Sequence, residues 1–142
     1  MGTVPPVDTD EALAFLRSNH RAVIATTRAD GTTQMSPITV GVDREGRVVV
    51  SSRETAYKVK HLRAMPYAAV CAFTDEFFGE WLQVEGPVDV VPLPEAMEPL
   101  VEYYRAISGE HPDWDDYRAA MERDRRVILR MTVERVGPRV SG

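Results

Sequence analysis

Val48-Val49-Val50-Ser51-Ser52-Arg53-Glu54-Thr55-Ala56-Tyr57-Lys58-Val59-Lys60 is a β-branched run that ends in two hydroxyls and passes into a basic segment. Consecutive valines favour extended backbone, because a branched Cβ packs well on a pleated surface and loses rotamer freedom in a helix. From Thr55 to Met65 the spacing becomes helical, with Val59 and Leu62 on one side, Lys58, Lys60 and Arg63 around it, and Pro66 as the stop. A strand that enters a helix start presents free backbone N–H groups, and nearby hydroxyls and lysines can complete a phosphate cradle. The same residues also describe an ordinary solvated helix face, and local pattern alone favours that plainer reading.

Working outward, Arg21 to Thr27 reads as a strand, Asp30-Gly31 as a hairpin turn, and Thr33 to Val42 as the returning strand. Pro37 marks an edge or a bulge in it. Asp43-Arg44-Glu45-Gly46 is a second turn, and Arg47 to Ser52 a third strand, so an antiparallel meander is expected. Ahead of it lie a proline-containing arm, Val4 to Val7, and a short helix. Asp8 is that helix's N-cap, Glu11 its capping-box partner, Ala12, Leu13, Phe15 and Leu16 its apolar face, and Asn19 its end.

Downstream, Ala68 to Thr74 is nearly all apolar and is expected to be a central strand. Glu80 to Val91 alternates in part, Trp81, Gln83 and Glu85 opposing Leu82 and Val84, with a bend or bulge at Gly86-Pro87. Met97, Leu100, Val101 and Tyr104 have helical spacing, although Pro99 removes one backbone bond; Ser108-Gly109 ends that helix. Asp113 caps another short helix with Trp114, Tyr117 and Met121 on one face, and Val127 to Val136 forms one last strand. Mostly antiparallel strands with a few short peripheral helices suit a mainly β fold with some α, a small closed or split barrel occupying residues 1–142 as one domain.

The net charge of −5 argues against general nucleic-acid binding, which needs a basic surface. No apolar stretch approaches the roughly 20 residues of a membrane span. No basic segment followed by an apolar run opens the chain, so a cytoplasmic location is expected. The one cysteine, Cys71, lies within Ala68-Ala69-Val70-Cys71-Ala72-Phe73 and reads as a buried structural thiol. His20, His61 and His111 are scattered and fit no metal-ligand spacing. No nucleophile elbow, phosphate-binding P-loop or dinucleotide fingerprint is present. The acidic cluster Asp113, Asp115 and Asp116 is explained by a helix N-terminus.

Four segments recur in a known order and spacing: Gln34-Met35-Ser36-Pro37, Ser51 to Leu62, Met65-Pro66-Tyr67-Ala68-Ala69-Val70, and Trp81-Leu82-Gln83-Val84-Glu85-Gly86. Together they resemble the pyridoxamine 5'-phosphate oxidase-like superfamily over nearly the whole chain. The stretch from Tyr104 to Met121, with Asp124-Arg125-Arg126-Val127, resembles its actinobacterial subgroup that uses coenzyme F420. The resemblance implies a split β-barrel of the FMN-binding-like, Greek-key kind, forming a homodimer with cofactor grooves at the interface. It further implies that Lys58 meets the cofactor phosphate with help from Ser51 and Ser52. Gln34, Ser36 and Pro37 would lie along the tricyclic ring, and Trp81 would close the pocket. The arginine that often assists the lysine is replaced by Ala56, leaving Lys60 or Arg53 to substitute.

Three functions follow from this reading. One is an F420-dependent reductase passing a hydride to a small organic acceptor, the cofactor supplying the chemistry and the protein the orientation. A second is an FMN enzyme, and a third a non-enzymatic flavin- or haem-binding module. The scattered histidines announce no axial haem ligand.

Overall fold

A computed structural model describes residues 8–141, with side chains described for residues 8–137. The arm from Val4 to Val7 lies outside the described residues. Asp8 does cap the first helix, α1 (Thr9–Ser18), its carboxylate accepting the Glu11 N–H at 2.7 Å. Strand β1 (Arg21–Thr27) and strand β2 (Thr33–Thr39) form the expected hairpin. The returning strand then stops short of Val42. At Val40 the chain leaves this hairpin, and β3 (Gly41–Val42) pairs instead with β4 (Val48–Arg53). The expected meander is therefore two separate hairpins in different parts of the sheet.

Helix α2 (Tyr57–Ala64) follows β4, and β5 (Tyr67–Phe73) lies centrally between β1 and β6 (Glu80–Val91). The helices α3 (Met97–Ser108) and α4 (Trp114–Arg123) precede β7 (Arg126–Met131). Pro99 is accommodated because it occupies the first turn of α3, where backbone N–H groups have no intrahelical partner to lose. The expected single last strand is two strands, β7 and β8 (Arg135–Ser141), separated at Thr132 to Glu134.

The strand order is β2-β1-β5-β6-β7-β4-β3, and β8 also pairs with β6. Strand β6 holds the two halves together. Up to Pro87 it pairs with β5, and from Val88 onward with β7. At the changeover sits Gly86, where an added Cβ would collide with the Thr132 carbonyl oxygen. The bend read at Gly86-Pro87 is thus a point of backbone contact between the sheet's two halves. The order ends in β2 on one side and the short β3 beside β4 on the other, and β2 and β4 face one another without pairing. This is a mixed β and α fold of the split-barrel kind.

Two apolar clusters fill it. The larger lies inside the barrel and gathers Leu16, Ile24, Val48, Val50, Val59, Leu62, Val70, Leu82, Val84 and Leu129. The smaller lies outside, beneath α3 and α4, around Val49, Leu100, Val101, Tyr117 and Ile128. Strands β4 and β7 are therefore covered on both faces, which is why Val48-Val49-Val50 and Val127-Ile128-Leu129 are continuous apolar runs. Each such side chain contributes about 1.5–3 kcal/mol by leaving water. Among the described residues, no helix is long and apolar enough to cross a membrane.

Candidate cofactor-binding groove

The unpaired seam between β2 and β4 opens into a groove of about 760 Å³. Pro37, Ile38 and Thr39 of β2 form one wall, and Ser51, Ser52 and Arg53 of β4 form another. Ala56 and Lys58 enter from the start of α2, Tyr103 and Tyr104 from α3, Tyr117 and Met121 from α4, and Arg126 from β7. Among the described residues no carboxylate lines this groove, although the chain is acidic overall and Arg53, Lys58 and Arg126 line it.

Lys58 is half-buried, and burial followed by the charge of Arg126 lowers its pKa from the ordinary lysine value. Arg126 carries a buried Nε with no hydrogen-bond partner. The first turn of α2 is uncapped, because Ala56 stands at the N-cap and offers no side-chain acceptor. An anion placed here would meet free N–H groups, two adjacent cations and the Ser51 hydroxyl, and would remove the charge repulsion between Lys58 and Arg126. These residues fit a phosphate group.

Tyr103 spans the seam. Its phenol donates to the Thr39 carbonyl at 2.7 Å, and Ser51 lines the same groove. Burial raises the phenol's pKa. Tyr117 is buried more deeply and donates to the Leu100 carbonyl at 2.8 Å. Burial, with Tyr103 nearby, pushes its pKa up to about 12, so it stays a neutral donor at ordinary pH. Behind the wall, Tyr104, His111, Trp114 and Tyr117 pack as four rings with centroids 5.1–5.8 Å apart. Arg105 lies over Trp114 at 5.0 Å.

Of the residues expected at a site, Pro37, Ser51, Ser52 and Lys58 converge on the groove. Ser52 is buried, and its hydroxyl donates to the Arg53 carbonyl at 3.1 Å. Gln34 and Ser36 lie elsewhere on β2, opposite Thr26 and Ile24, and do not line the groove. The Gln34 Oε1 is buried without a partner. Lys60 is exposed outside the groove, and Arg63 is held by Glu54 at 3.2 Å. Trp81 sits half-buried on β6 opposite Phe73, outside the groove. Sequence reading missed Tyr103, Arg126 and the groove-lining role of Tyr117. A basic residue opening the apolar run Val127-Ile128-Leu129 was the only signal for Arg126.

The sequence profile of the family described as pyridoxamine 5'-phosphate oxidase matches residues 8–139. The chain belongs to that family. Solved structures resemble this family member along most of its length. A conserved hypothetical protein from Mycobacterium tuberculosis superposes with a TM-score of 0.76 at 20% identity, over 96% of this chain and 87% of that one. An F420 reductase gives 0.66 at 22% identity, over 87% and 94%. A haem-binding protein from Mycobacterium smegmatis gives 0.69 at 18% identity, over 99% of this chain and 59% of that one. At these identities the likeness is one of fold.

Proposed function

We propose that the protein is an oxidoreductase that binds a phosphate-bearing flavin or deazaflavin in the β2–β4 groove, with coenzyme F420 as the preferred cofactor and FMN as the alternative. The carrying observation is the cationic, carboxylate-free lining around Lys58, Arg126 and the uncapped start of α2. A bound cofactor of this class supplies hydride transfer to a small organic acceptor. Lys58 and the Ser51 hydroxyl hold its phosphate, Pro37, Ile38 and Thr39 border its ring, and the tyrosine wall keeps water from one side. Arg53, exposed at the rim, is available to an anionic tail that FMN lacks. A haem-binding module is disfavoured because no histidine or cysteine among the described residues lines the groove.

The working unit in this proposal is a homodimer. Alternate residues of β1 and β5, including Val23, Ala25, Ala69, Cys71 and Phe73, point away from the barrel core and stay half-exposed. Trp81 continues that row on β6, and Met35 is 68% exposed on β2. A second copy covering this face would carry Trp81 into the interface.

Titrating apo-protein with F420, FMN and haem tests the cofactor reading. F420 is expected to bind most tightly, with affinity falling more steeply with salt than that of FMN, because its tail adds screened charge contacts. Equal affinities and equal salt slopes for F420 and FMN would remove the preference. Binding of haem alone would remove the oxidoreductase reading.

A further inference from the structure

We propose that Arg126 is the second phosphate-holding cation of this groove, supplied from β7 and paired with Lys58. This assignment rests on the reading of the groove as a phosphate-bearing cofactor site. The position beside Lys58 where α2 begins is occupied by Ala56, which has no charge to offer. Arg126 opens β7 and reaches the same groove from the neighbouring strand.

Three features make Arg126 costly unless an anion comes to it. Its register partner across the β4–β7 pair is Arg53, and like charges placed directly opposite on antiparallel strands repel. Its Nε is buried with no acceptor, a state that ordinarily carries a desolvation penalty. The carboxylates next to it in sequence or across the strand are also engaged elsewhere. Glu54 is drawn to Arg63 at 3.2 Å, and Asp124 lies 3.8 Å from Arg123. The preceding residue, Arg125, has a positive φ of 49°, and its carbonyl accepts the Glu54 N–H at 3.0 Å, which fixes the chain's entry into β7. Arg130, also on β7, has a buried Nε without a partner as well, so position separates the two: Arg126 lines the groove with Lys58, Ser51 and the uncapped start of α2, and what these share is an affinity for a phosphoryl oxygen.

The test compares ligands with and without phosphate. Wild type, Arg126→Gln and, as an off-groove control, Arg123→Gln are titrated with FMN, riboflavin, F420 and inorganic pyrophosphate, while urea unfolding is followed without ligand. In Arg126→Gln, affinity for FMN, F420 and pyrophosphate is expected to drop on the order of 10- to 100-fold, with riboflavin affinity unchanged. The ligand-free variant is expected to be at least as stable as wild type, since a like-charge contact has gone; a structural role would lower its unfolding midpoint. An unchanged FMN-to-riboflavin ratio in Arg126→Gln overturns the assignment and leaves the flavin reading standing. If wild type binds no flavin or deazaflavin but holds pyrophosphate through Arg126, the assignment stands and the cofactor reading fails. A wild type that binds none of the four overturns both.

Discussion

Replacing Gly86 by alanine probes the crossing of the two half-sheets. The new methyl would meet the Thr132 carbonyl oxygen at far less than contact distance, with the Thr132 carbonyl carbon and the Glu134 nitrogen each at 3.0 Å. The obstacles are backbone atoms, so no side-chain rotation relieves them. Overpacking of this kind costs about 1–3 kcal/mol. Moving the chain aside also threatens the bonds from Thr132 N–H to the Pro87 carbonyl (3.0 Å) and from Glu134 N–H to the Glu85 carbonyl (2.9 Å). At about 0.5–1.5 kcal/mol each, these bring the expected loss to about 2–6 kcal/mol. That is a large share of the roughly 5–15 kcal/mol that a native domain holds. In urea, with a slope of about 1–3 kcal/mol per molar, the unfolding midpoint should fall by at least about 0.7 M. Gly31→Ala is the contrast. Gly31 has a φ of +87° and nothing within 4 Å, so only backbone strain of about 1–2 kcal/mol is expected. A Gly86→Ala loss below about 1 kcal/mol, or one no larger than that of Gly31→Ala, would refute the claim that close packing fixes this crossing.

Three further outcomes follow from the groove and the sheet. Tyr103→Phe should lower cofactor affinity several-fold while costing about 1 kcal/mol of stability, because the seam loses the bond that ties α3 to the Thr39 carbonyl; fluorescence titration beside urea unfolding checks both. The lowered pKa of Lys58 means that the unfolded chain holds its proton to higher pH than the folded one. Stability from this group should therefore rise as pH climbs through the folded pKa toward the ordinary lysine value, and phosphate affinity should fall over the same window. Pyrophosphate calorimetry in that range would show proton uptake on binding, and its absence would take Lys58 out of the anion's reach. Val23→Asp places a carboxylate between Pro37 and Cys71 on the open sheet face and should shift a dimer toward monomer in sedimentation at micromolar concentration.

Where local chemistry decides the structure, the sequence was readable. Asp8 and Asp113 cap the helices they were expected to cap, and Gly109 ends α3 at a φ of 80°. Where non-local pairing decides, it was not. Ile38 to Val42 reads as one extended run, and nothing local says that Val40 leaves one hairpin for another. Thr132 to Glu134 likewise carries no strong turn signal, yet the close approach at Gly86 divides the last strand there. At the candidate groove, Lys58, Ser51 and Ser52 were singled out by family resemblance, since the local pattern alone favoured a solvated helix face, and the structure brings them to one groove. Arg126 and Tyr103 were not singled out, since only the β4–β7 register and the packing of α3 bring them to the groove.

The two strands facing across the groove differ in stiffness. β4 is paired along its full length with β7 and buried on both faces, whereas β2 is an edge strand whose strand partner is β1 alone, its residues alternately exposed and half-exposed, with the Tyr103 phenol tying down the Thr39 carbonyl at its end. Edge strands open locally at small free-energy cost, while doubly covered strands open only with the whole domain. The groove therefore has one breathing wall and one fixed wall. Accommodation of a thicker or thinner guest falls to Pro37 and Ile38, ahead of the Thr39 carbonyl that Tyr103 holds. Once a guest is clasped, the amides of β2 are the ones whose hydrogen exchange should slow most.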